Sequence, residues 1–165
     1  MAKQRDRVRM TDEEVAGLLA ACRKVQLATI SPDGYPHLVT MYYALVDGKI
    51  AFWTYRTSQK ARNLARDPRI TCLVETGNAY FDLRGVQIQG TVQTVTEPDA
   101  VQQIGLAVAK VMGSTATGPS AEPADRAGEG GPSGGGYLPT ASKRYGYLVE
   151  PVRVISWDHA KLLPG

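Results

Sequence analysis

Residues that carry metal or nucleophile chemistry are scarce here: the 165-residue chain has two cysteines and two histidines. Cys22 and Cys72 fit no metal-ligand spacing or disulfide framework, and each sits in an apolar pattern that reads as core. A reducing cytoplasm is the expected compartment. His37 and His159 are too widely separated to suggest a triad. No Gly-x-Ser-x-Gly elbow, Walker loop, zinc spacing or paired-carboxylate pattern occurs, so no metal site is expected and no catalytic side chain can be named. No apolar run approaches the roughly 20 residues that span a bilayer, and none follows the basic residues of "MAKQRDRVRM". A soluble, non-exported protein without a membrane partner is expected. The net charge of +3 is too small, and its basic residues too poorly interleaved with aromatics, for a nucleic-acid binder.

What is present is enough apolar side chain, 43%, for one core, so residues 1–165 are expected to form a single domain. Residues 1–10 read as a basic tail. In "MTDEEVAGLLAACRK", Thr11 and Glu14 form a capping box ahead of Val15, Leu18, Leu19 and Cys22 at helical spacing, which predicts a helix over 11–23. Three strands follow, "VQLATIS", "YPHLVTMYYALV" and "KIAFWTY", joined at "PDG" and "DG". Further strands are expected at "RITCLVET", "YFDLR", "VQIQGTVQTV" and, as two short pieces broken near Pro151, in "YGYLVEPVRVISWD". A helix is predicted over 98–112. Edge helices around many antiparallel strands indicate a mainly β fold, a closed or nearly closed barrel.

Residues 113–136 contain no Leu, Ile, Val or aromatic side chain and cannot form a core of their own. Two readings stand: a disordered insertion, or a loop laid over another surface, with Tyr137 and Leu138 as anchors, that could act as a lid.

The chemistry concentrates in "FWTYRTSQKARNLARDPR". A helix starting at Thr57 or Ser58 presents unpaired N–H groups and the positive end of its dipole, about half an elementary charge. Such an end binds anions. Arg56 precedes it, Lys60 lies in its first turn and Asn63 one turn on, so several donors can converge on one phosphate. Arg62, Arg66 and Arg69 read equally as a solvated face. Lys60 is taken here as an exposed donor whose removal costs the fold little.

This order of elements resembles the split-barrel flavin-binding family of pyridoxamine 5′-phosphate oxidases and their deazaflavin-dependent relatives. The resemblance covers about 25–97 well and implies a split β-barrel of about six to eight antiparallel strands with flanking helices. It rests on Trp53-Thr54 at a strand end, on Ser58-Gln59-Lys60 at a helix start and on "SPDGYPHLVTMYYAL". The continuation Lys60-Ala61-Arg62-Asn63-Leu64 with Asp67-Pro68-Arg69 looks most like the branch that binds coenzyme F420. By that resemblance the cofactor's phosphates lie against Trp53, Thr54, Arg56, Thr57, Ser58, Gln59, Lys60, Arg62 and Asn63. The segment from His37 through Val39, Thr40 and Met41 to Tyr42 and Tyr43 borders the ring, with Tyr42, Tyr43 and Trp157 as ring or substrate walls. Two departures are informative: "SWDHAKLLPG" lacks the Arg-Leu-His-Asp-Arg signature that grips pyridoxamine phosphate, and Gly85 replaces a flavin-contacting Gln. The resemblance implies an F420-dependent reductase of a small conjugated molecule. The alternatives are an FMN-dependent enzyme using the same groove and a non-catalytic flavin or haem carrier. A homodimer with its site at the subunit interface is expected, and "VQIQGTV" reads as offering a spare apolar face for it.

Overall fold

The structure is a computed structural model that describes residues 4–113 and 141–163. The region 114–136 of the Gly-rich segment, with Tyr137 and Leu138, lies outside the described residues, so neither reading of it is addressed. The elements in chain order are α1 (Gln4–Arg7), α2 (Asp12–Ala21), β1 (Lys24–Ile30), β2 (Pro36–Tyr42), β3 (Ala44–Val46), β4 (Lys49–Tyr55), α3 (Gln59–Arg66), β5 (Arg69–Thr76), β6 (Arg84–Val95), α4 (Pro98–Gly113) and β7 (Arg144–Asp158). All seven strands join one antiparallel sheet in the order β2-β1-β5-β6-β7-β4-β3. Its two edge strands, β2 and β3, are consecutive in the chain with only Tyr43 between them. The sheet therefore has to curl until its edges meet at that corner, which makes it a half-barrel.

Local chemistry accounts for most element boundaries. Thr11 and Glu14 form both bonds of the capping box on α2. The β1–β2 turn has Gly34 at φ 86°, and Asp33 accepts the Tyr35 N–H at 3.1 Å. Asp47 and Gly48 both take positive φ, 51° and 75°, at the two-residue turn between β3 and β4.

Alternation sends Val25, Leu27 and Thr29 of β1, and Val86 and Ile88 of β6, to the barrel interior. They meet Ile50 and Phe52 there, with Phe52 stacked on Tyr147 at 5.1 Å. Strand β4 is buried on both faces because its other side, Ala51 and Trp53, lies under α4 against Val101, Ile104 and Val108.

Several expectations need correction. "YFDLR" holds a 3-10 turn at Tyr80–Asp82 rather than a strand. The C-terminal pair of strands is one 15-residue strand, β7, which passes Pro151 by an irregularity opposite Gln89 and Gly90. "YPHLVTMYYALV" breaks at Tyr43 into two strands. Residues 4–10 are no loose tail, since Val8 and Met10 are buried and the Asp158 N–H donates to the Val8 carbonyl at 2.7 Å. Finally, the apolar side chains of "VQIQGTV" fill the core, and its outward residues are Gln87 and Gln89.

Candidate functional site

Strand β4 ends at Tyr55 and the chain turns into α3 through Ser58. The Ser58 hydroxyl accepts the Ala61 N–H at 3.3 Å and the Thr54 hydroxyl hydrogen at 3.2 Å, which ties the strand end to the helix start. Among the described residues the Gln59 N–H at the first helical position has no acceptor. Arg56 is exposed, and its guanidinium lies 4.8 Å over the Tyr145 ring with Nε donating to the Arg144 carbonyl at 3.3 Å. Thr57 is exposed between them. Arg62 points to solvent, Arg66 donates to the Ile30 carbonyl, and Arg69 grips Asp67 through two nitrogens. That grip holds the Asp67 carboxyl down at about 2 and takes Arg69 out of the cluster.

The inner face of α3 is polar as well as apolar. Lys60 is 4% exposed and Asn63 is fully buried. Asn63 donates to the Thr29 hydroxyl at 3.0 Å and accepts from Gln59 at 2.9 Å. Two expectations change as a result. Asn63 fastens α3 to β1 rather than reaching a phosphate, and Lys60 is a buried lysine that cannot be removed without cost to the fold.

His37 stands opposite Thr29 across the β1–β2 pair, on the same inward face. Its Nδ1 is buried and has no hydrogen-bond partner among the described residues.

Strand β2 turns its alternate residues outward. Leu38 and Thr40 join Gln26, Thr71, Leu73 and Gln87 in lining an open concavity of about 510 Å³ on the outer face of the sheet. The lining carries no charge. Val39 and Met41 point inward and pack on the barrel core, so only their backbone borders the concavity side. Tyr42 lies at the strand end with Lys24 5.6 Å over its ring. Tyr43 is not a wall: it is 1% exposed and its hydroxyl donates to the Leu19 carbonyl at 2.5 Å. Trp53 is also withdrawn, 6% exposed beneath α4. Trp157 lies across Gly85, close enough that a β-carbon there would meet its Cζ2 at 2.2 Å.

One subunit thus carries a helix start with an unbonded N–H after β4 and, separately, an uncharged concavity on the outer face of the sheet, while His37 faces the opposite side of β2. Leu38 falls within the segment expected to border the ring, whereas Gln26, Gln87, Arg144 and Tyr145 are not among the expected site residues. Strict alternation could have placed Leu38 outward, but nothing local links Arg144 or Tyr145 to Arg56.

Residues 11–129 match the family described as Pyridoxamine 5'-phosphate oxidase. The chain belongs to that family. Among solved structures, a conserved hypothetical protein of Mycobacterium tuberculosis shares 38% identity over 99% of this chain and 95% of its own, with a TM-score of 0.77. A protein described as an F420 reductase is 24% identical over 84% of this chain and 93% of its own, TM-score 0.59. A FAD-binding protein of Mesorhizobium loti is 18% identical over 89% and 93%, TM-score 0.62. No curated protein matches the chain. Membership of this oxidoreductase-type family gives the half-barrel its class, that of flavin and deazaflavin binders. Among the described residues no helix is long and apolar enough to cross a membrane. The Arg-Leu-His-Asp-Arg sequence is absent from "SWDHAKLLPG", and Trp157 rests on Gly85.

Proposed function

We propose that the protein is an oxidoreductase that transfers a hydride between coenzyme F420 and a small conjugated organic substrate, in the cytoplasm and as a homodimer. The observation that carries this reading is the uncommitted N–H character at the start of α3. Arg56 has no carboxylate partner among the described residues, and the Gln59 N–H has no acceptor. Both fit the phosphate of a flavin-type cofactor. The choice of F420 over FMN is supported by the run from Lys60 to Asn63 with Asp67-Pro68-Arg69, and by the similarity to a protein described as an F420 reductase.

When bound, the deazaflavin supplies the hydride. The chain's own residues would bind and orient. Arg56 and the helix start anchor the charged end, and Leu38 and Thr40 border the ring from β2. The uncharged lining formed by Gln26, Thr71 and Gln87 suits a neutral, planar substrate. An open concavity does not exclude water, and a second copy laid over this face would do so. Leu38, 67% exposed on that face, supports such a cover. The two free cysteines fit a reducing compartment.

The test is titration of purified protein with F420 and with FMN, followed by cofactor fluorescence, then turnover with reduced F420. The expected result is saturable F420 binding, with FMN at least about tenfold weaker, a gap of roughly 1.4 kcal/mol. Tighter FMN binding would overturn the cofactor assignment. A monomer in sedimentation that still binds F420 tightly would overturn the dimer.

A further inference from the structure

Arg56 is tied down by three successive residues of the chain that lie far away in sequence. Its backbone N–H donates to the Lys143 carbonyl at 3.1 Å, its Nε donates to the Arg144 carbonyl at 3.3 Å, and its guanidinium lies 4.8 Å over the Tyr145 ring. None of these partners is an anion. The ring contact and the Nε bond leave both terminal nitrogens of the fork without a partner among the described residues.

The carbonyl that fixes Nε is itself immobilised. Arg144 stands opposite Tyr55 in the β4–β7 register. Its side chain turns to the other face of the sheet, 8% exposed, between the rings of Trp53 at 4.3 Å and Tyr55 at 4.2 Å. Gly146, opposite Trp53 in the register, leaves room instead for Ile104 of α4, whose Cδ1 would lie 2.7 Å from a β-carbon there. Two cation–ring stacks therefore grip the β4–β7 seam from opposite sides, and Arg56 is the one that faces solvent.

We propose that Tyr145 is a positioning residue that preorganises Arg56 as a bidentate receptor for a phosphate oxyanion beside the start of α3. The inference rests on the reading of that helix start as the cofactor's phosphate end. A free arginine would lose its rotamer freedom on binding, whereas here the restriction is already imposed in the folded protein. The ring acts through Arg56 and does not itself touch the anion.

A double-mutant cycle read by F420 titration tests this. Arg56→Ala should weaken F420 binding by about ten- to a hundredfold, the range for one charge-assisted bond to phosphate. Tyr145→Leu should weaken it by about two- to tenfold, the range for an exposed cation–ring contact, and Tyr145→Phe should restore it. Because Tyr145 also packs against the barrel core, Tyr145→Leu will lower the melting temperature whether or not the proposal holds. The deciding measurement is Tyr145→Leu in the Arg56→Ala background, where its effect on affinity should vanish. An undiminished effect there overturns the positioning role. So does wild-type affinity in Tyr145→Leu when Arg56→Ala is weakened, with the phosphate reading left standing. Wild-type affinity in Arg56→Ala overturns the inference and the phosphate reading together.

Discussion

Gly105 of α4 rests against the indole of Trp53: a β-carbon on residue 105 would stand 2.4 Å from Cη2 and Cζ3 of that ring. On this contact α4 covers the outer face of β4, and it leaves the tryptophan as core rather than as a wall of the site.

The contact sets the sign of one substitution. Gly105→Ala improves helix propensity by about 1 kcal/mol, but it drives a methyl into a ring already stacked by Arg144 at 4.3 Å. Overpacking of this kind costs about 1–3 kcal/mol. Calorimetry should show a melting temperature lower by a few degrees. A rise would mean that α4 shifts freely on the sheet.

Tyr43→Phe separates core from site. The hydroxyl donates to the Leu19 carbonyl in the interior, so its loss should destabilise the fold by about 1 kcal/mol in urea unfolding. F420 affinity should stay unchanged. A loss of affinity without a loss of stability would return Tyr43 to the cofactor.

Lys60→Ala should now do two things. Because Lys60 is buried, melting should fall as well as F420 affinity. Arg69→Ala is the control: Arg69 is exposed and engaged with Asp67, and its F420 dissociation constant should stay within about twofold. Unchanged binding in Lys60→Ala would remove Lys60 from the site.

Gly85→Ala should unseat Trp157, whose Cζ2 would lie 2.2 Å from the new methyl. Trp157 is partly exposed at the end of β7, so the ring can swing outward. Intrinsic fluorescence should shift to the red and become more accessible to acrylamide. An identical spectrum would show that the strands separate instead.

Stability should decline on the alkaline side. Burial pushes the Cys72 thiol from an ordinary value near 9 to about 12, and the Tyr147 phenol from near 10 to about 12. The unfolded chain therefore releases these protons first as pH rises. Their contribution is fully present below about pH 9 and is lost towards pH 12. Urea midpoints measured from about pH 8 to about pH 11 should fall steadily, and Cys72→Ala should flatten the first part of the decline.

What could be read from the sequence was local. Thr11 with Glu14, Ser58 at the head of α3, and the Asp-Gly pairs at 33–34 and 47–48 each satisfy or bend backbone within a few residues, and each stands where expected. The character of the α3 start was legible for the same reason, since a cap, a helix start and a neighbouring arginine are all close in the chain. What covers the outward residues was decided elsewhere. Trp53 is core because α4 returns over β4. Tyr43 is core because the chain breaks there between two edge strands, and its hydroxyl then meets α2. Arg56 is oriented by residues 143–145 through a strand pairing that spans 88 positions. Such registers depend on closing a curled sheet, a condition on the whole chain, and no short window of residues contains it.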